Sequence, residues 1–126
     1  ERTLPKDKWT HEAHLIVALR HLKKYNKAEA TCLLRAGIIN YNLAVGTPNT
    51  GNSGYHETIT LFWIRLVSHF IEGNERLNMS ELVAKFSLST YAKPSILFDY
   101  YTEDLLFSTM ARANWVQPDV KRMIGD

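Results

Sequence analysis

The 126-residue chain is 45% hydrophobic and 22% charged, the composition of one soluble globular domain spanning residues 1–126. Its single cysteine, Cys32, excludes a disulfide scaffold and a four-cysteine zinc module. The net charge is only +2, with +4 in residues 1–27 and −2 elsewhere, which argues against nucleic acid as a partner, and no apolar run approaches the ~20 residues of a membrane span. No signal peptide is visible, so a cytoplasmic protein is expected; the sequence starts at Glu1 rather than Met and leaves the natural N-terminus open.

In chain order the sequence reads as helices joined by short loops. Thr10 is a plausible N-cap for a first helix to about Tyr25, with Glu12 in the first turn and Ala13, Ile16, Val17, Leu19 and Leu22 as its packing surface. Asn26 followed by Glu29 has the capping-box shape and opens a second helix to Val45, where Gly46 and Pro48 end it. The segment 46–54, GTPNTGNSG, is a loop of turn formers. A third helix takes Tyr55 to about Glu72, with Ile59, Phe62, Trp63, Leu66, Val67 and Phe70 at helical spacing and Gly73 as its stop. Asn78 with Glu81 opens a fourth through about Phe86. Short helices follow at Lys93 to Tyr100, after Thr102, and at Ser108 to Trp115. The expected fold is an all-α, single-domain bundle of three main helices, wrapped by short C-terminal ones.

Charge placement points at one spot. Between Arg35 and Arg65 lie 29 residues, of which Glu57 alone is charged, so much of the second and third helices should be buried and Glu57 needs a partner. The short loop at Asn26 makes the first two helices antiparallel, and a second reversal makes helices one and three run the same way. Their N-termini then share one end. His11 and His14 lie three apart in the first turn of helix one, and His56 and Glu57 lie at the start of helix three. The positive end of a helix disfavours imidazolium and favours a carboxylate, and neutral His with ionised Glu is the donor set a divalent metal takes. The cluster suits Zn, Fe or Mn bound by His11, His14 and His56, with Glu57 as a fourth ligand or as the general base for a metal-bound water. Tyr55, Thr58 and Thr60 would surround it.

The same residues have plainer uses. His11 and His14 can line a polar end of the bundle with Glu57 hydrogen-bonded to one of them. His11-Glu12-Ala13-His14 is not the HExxH motif, since its histidines are three apart, so Glu12 has no general-base role by that motif. His21, ~15 Å along the helix axis from His11, and His69 suit helix C-termini. Trp9, Trp63 and Trp115 suit packing, as do Tyr100 and Tyr101. Residues 20–27 suit a solvated helix end, and residues 46–54 lack the GK[ST] of a phosphate loop. Arg112 can pair with Glu57 or hold an anionic substrate, but Asp99, Glu103 and Asp104 offer it nearby structural partners.

Three stretches, WTHEAHL at 9–15, GYHETIT at 54–60 and YYTEDLLFSTMARANWVQPDV at 100–120, resemble a group of small bacterial all-helical proteins. That group carries an aromatic-x-His-x-x-His-Leu start, a Tyr-His-Glu-Thr-Ile/Leu-Thr centre, and a tail with Tyr-Tyr-Ser-x-Glu, Ala-Arg and Pro-Asp-Leu. Matching positions are His11, His14, Tyr55, His56, Glu57, Thr58, Thr60, Tyr100, Tyr101, Glu103 and Arg112, in the same order over most of the chain. The chain departs in having Thr102 for Ser and the polar stretch NTGNS before Gly54. The group has no established activity, so the resemblance implies membership and no reaction.

Two functions are therefore expected as alternatives. One is a metal-dependent enzyme acting on a small molecule through His11, His14, His56 and Glu57, with Tyr55, Thr58, Thr60 and Arg112 in support. The other is a non-catalytic helical binding or protein-interaction module whose His/Glu cluster is structural. Either admits a homodimer.

Overall fold

The computed structural model describes residues 11–44 and 54–125, apart from the side chains at positions 11, 12, 40, 41, 43 and 44. The first helix's N-cap at Thr10, the second helix's stop at 45–48 and most of the loop at 46–54 lie outside the described residues. Those described form helices and no strand. They are α1 (His11–Lys24), α2 (Lys27–Ala44), α3 (Glu57–Glu72), α4 (Met79–Leu88), α5 (Leu97–Tyr100), α6 (Glu103–Leu106) and α7 (Thr109–Ala113), with 3₁₀ turns at Thr90–Ala92 and Pro94–Ile96 between α4 and α5. Among them no helix is long and apolar enough to cross a membrane.

Most boundaries follow from side chains that satisfy the free amides of a first turn. Asn26 Oδ1 accepts from Glu29 N at 2.8 Å. Asn78 and Glu81 form a complete capping box, Glu81 N donating to Asn78 Oδ1 at 2.9 Å and Asn78 N to Glu81 Oε1 at 3.0 Å. Ser108 Oγ accepts from Ala111 N at 3.1 Å to start α7. The helix expected from Tyr55 starts two residues later, at Glu57, because His56 is extended and its ring acts as the cap. The stretch Lys93 to Tyr100 is split: Pro94 opens a 3₁₀ turn and only Leu97–Tyr100 is α-helical.

α3 is the central element, packed on α1, α2 and α7. One side of it enters the main core, where Phe62, Leu66 and Val67 are fully buried with Leu15 and Leu19 of α1, Leu82 and Phe86 of α4, and Tyr101 and Leu106. Aromatic edges set the spacing there. The Phe62 ring meets Trp63, Tyr100 and Tyr101 edge-on at 5.4, 5.1 and 6.1 Å, and Phe70 meets Phe86 at 5.0 Å. The other side forms, among the described residues, a much smaller cluster of Ile64 with Ala18 of α1 and Leu34 of α2.

Two clefts give the helix directions. The first half of α1 and the first half of α3 line one together with Leu34 and Ile38. The end of α1, the end of α3 and Asn26 and Lys27 line another. Hence α1 and α3 run the same way and α2 runs against both.

Candidate functional site

The start of α3 is a junction of polar side chains, each tied to a different part of the chain. His56 accepts from Ile59 N through Nδ1 at 3.1 Å, and its Nε2 is 2.7 Å from Leu106 O. A carbonyl only accepts and an amide only donates, so the ring must be the neutral Nε2–H tautomer with both nitrogens engaged. Burial holds the His56 pKa below its ordinary value and the positive Arg112 pushes the same way, with the Leu106 carbonyl in opposition. His56 thus combines the cap of α3 with a strut to the end of α6.

Glu57 finds the partner its isolation in the sequence demands, and that partner is Arg35 of α2. Arg35 Nε and Nη2 donate to Glu57 Oε1 and Oε2 at 2.9 and 2.8 Å, a two-pronged pair, and the Tyr55 hydroxyl adds a third hydrogen bond to Oε1. Partial burial pushes the Glu57 carboxyl up, but the bonds from Arg35 and Tyr55 outweigh it and hold the pKa below the usual carboxylate value. Burial and the same carboxylate push the Tyr55 phenol up to about 12. Glu57 is accordingly an anion fixed between two helices.

Thr58 and Thr60 serve the backbone. Thr58, fully buried, donates from Oγ1 to Asn114 O at 2.7 Å and accepts from Val116 N at 3.2 Å, while Thr60 Oγ1 donates to His56 O at 2.8 Å. Arg112 reaches the same place from α7, donating through Nη1 to Gly54 O at 3.0 Å and Tyr55 O at 3.2 Å. Both partners expected for it, Glu57 and the nearby acids, are replaced by the carbonyls that lead into α3. Sequence reasoning missed Arg35 and also Asp119, whose carboxylate accepts from Thr102 N at 2.8 Å and Thr102 Oγ1 at 2.6 Å. Arg35 had a signal: it and Glu57 are neighbours in the sparse list of charges on two antiparallel helices.

The histidines divide. His56 faces the α6 end, whereas His14 lines the cleft between α1, α2 and α3. His11 opens α1, its side chain outside the described residues. Among the described residues no group of three His, Cys, Asp or Glu side chains is placed to hold a metal ion. A divalent ion on His56 would require breaking either the cap of α3 or the Leu106 contact, and one on Glu57 would compete with Arg35. His21 is structural, with Nδ1 donating to Val17 O at 2.8 Å.

The cleft at His14 has a volume of about 120 Å³. Leu15, Ala18, Leu34, Ile38, Ile59, Trp63 and Ile64 give it apolar walls, and His14 and Thr60 are its polar members. Thr60 is one turn beyond His56, so the cleft begins where the polar junction ends. Apolar walls with a few polar groups are what small-molecule sites use: burial supplies affinity and the polar groups fix orientation. Comparison of the chain with protein-family models, curated proteins and solved structures returned no match.

Proposed function

We propose that the chain, folded as one helical-bundle domain, is a non-catalytic binding module for a compact, mostly apolar small molecule carrying one hydroxyl or similar polar group. The ligand sits between α1, α2 and α3, its apolar body against Leu34, Ile38, Trp63 and Ile64 and its polar group toward His14 and Thr60. The single observation that carries this reading is the contrast between the cleft and the polar junction beside it. The cleft offers apolar walls of about 120 Å³, the size range in which protein cavities take up ring-sized molecules. Glu57 and His56, the groups a metal enzyme would need, are engaged in holding helices together.

Cyclohexanol, which does not absorb where tryptophan does, is a suitable probe. It should raise the melting temperature of the wild type saturably and shift Trp63 emission. Ala18→Phe, which fills the cleft, should abolish both responses, and Trp63→Phe should remove the optical change while keeping the thermal one. The absence of any saturable response to cyclohexanol would remove the reading. Stoichiometric Zn, Fe or Mn in untagged protein, lost in His14→Ala, would replace it with the metal-dependent enzyme.

A further inference from the structure

The C-terminal wrap carries an apolar patch that nothing in the monomer covers. Phe98 and Phe107 are 44% and 58% exposed and their rings meet at 6.2 Å, and Met110, three positions further on, is 62% exposed. Aromatic residues and Met gathered on a surface are the composition of an interface centre. The patch has an acidic rim. Residues 98–110 hold Asp99, Glu103 and Asp104, all exposed, and no Lys, Arg or His. Phe107 N donates to Glu103 O at 2.9 Å, which sets Phe107 one turn beyond Glu103. Arg112 does not neutralise these acids, since it is turned to the Gly54 and Tyr55 carbonyls.

The same chain carries the complement. At the join of α1 and α2, residues 20–27 hold Arg20, Lys23, Lys24 and Lys27, all exposed, and no acid. They surround a cleft of about 210 Å³ whose apolar members are Leu22, Tyr25 and Ile71. That is more than the roughly 150 Å³ that takes up a benzene ring. Lys27 lines the cleft, Lys24 lies over the Tyr25 ring at 5.3 Å, and Glu72 is the one acid of the lining. The patch and the cleft belong to opposite ends of α3, because Leu106, next to Phe107, is fastened to His56 while Ile71 lies in the last turn. His56 and Ile71 are ~22 Å apart along the axis, so one copy cannot seat its own patch in its own cleft.

We propose that a second copy of the chain does so: the Phe107 ring of one copy enters the Leu22–Tyr25–Ile71 cleft of another, and the acidic rim faces the basic stretch. The contact joins two different surfaces, so it builds chains of copies unless the rotation between them closes a ring. It is independent of ligand binding at the His14 cleft.

Sedimentation velocity of the full chain tests this. The average mass should rise with concentration over about 10 μM to 1 mM at low salt, the range of weak contacts, and rise less in about 0.5 M KCl. Phe107→Ser should weaken association about tenfold or more, and the double variant Lys24→Glu with Lys27→Glu should do so about tenfold. All three positions are exposed, so both proteins should melt as the wild type does. Mixing them is the decisive measurement. The Phe107→Ser protein keeps an intact cleft and the double variant an intact patch, so together they should form a one-to-one pair that grows no further. Recovery of that pair also shows both variants to be folded. The proposal is overturned if the wild type stays monomeric, if the double variant associates as the wild type does, as it would were two patches to pair with each other, or if the mixture stays monomeric.

Discussion

The two sides of α3 differ in how they are held. The side carrying Phe62 and Leu66 is sunk in a core fed by α1, α4 and the C-terminal segments, while the side carrying Ile64 meets, among the described residues, Ala18 of α1, Leu34 of α2 and the clamp of Arg35 with Glu57. A densely packed face tolerates little loss because removed atoms leave a cavity ringed by rigid neighbours. A thin interface can close up around a loss. Among the described residues α2 meets α3 through few apolar contacts, so the Arg35–Glu57 pair carries a visible share of that junction.

The largest effects should separate the faces. Phe62→Ala is expected to cost about 3–5 kcal/mol in urea unfolding, and Leu34→Ala about 2 kcal/mol, at the low end for a buried leucine. Equal costs would abolish the distinction. Next comes Thr58→Val, which keeps the shape but leaves the Asn114 carbonyl and Val116 amide without partners; about 2 kcal/mol should be lost. A wild-type-like melt would show that water replaces the hydroxyl there.

Glu57→Gln should cost less, about 1 kcal/mol, because Arg35 is 37% exposed and solvent screens the pair. Its cost should shrink in high salt, whereas that of Phe62→Ala should not. A salt-independent loss would mean that Glu57 acts by packing.

The smallest effect is a pH slope. An imidazole in the unfolded chain titrates near 6.5, and that of folded His56 lies below its ordinary value. The unfolded state therefore takes up the proton first. The stability from neutral His56 is full above about pH 6.5 and falls as the pH drops through that value toward the folded pKa. His56→Asn keeps an oxygen to cap Ile59 N and cannot titrate, so its unfolding midpoint should change less between pH 7 and 5.5. Parallel slopes for both proteins would assign the titration to another group.

Much of the architecture was legible because it is written locally. Asn26, Asn78 with Glu81, and Ser108 mark helix starts by side-chain chemistry that acts within three residues. The start of α3 was less legible because the capping group is an imidazole, a residue type outside the usual set, oriented by the Leu106 carbonyl fifty positions away. The candidate site was half legible. The isolation of Glu57 signalled a partner, but choosing Arg35 over Arg112 depends on where antiparallel α2 sets its side chains beside α3. The histidines show the same limit: periodicity brings His14 and the start of α3 to one end of the molecule, yet cannot say that His56 turns away from the cleft His14 lines.

The bonds that set the first turn of α3 also fix an order of assembly. Leu106, Arg112, Asn114 and Val116 lie 50–58 positions downstream of the residues they fasten. While the polypeptide leaves the ribosome, α1, α2 and α3 are all made before any of those clasps exists, so the head of the central helix is held at first only by its His56 cap and by Arg35 and Tyr55 on Glu57. A polypeptide halted before residue 106 lacks every one of these later fasteners.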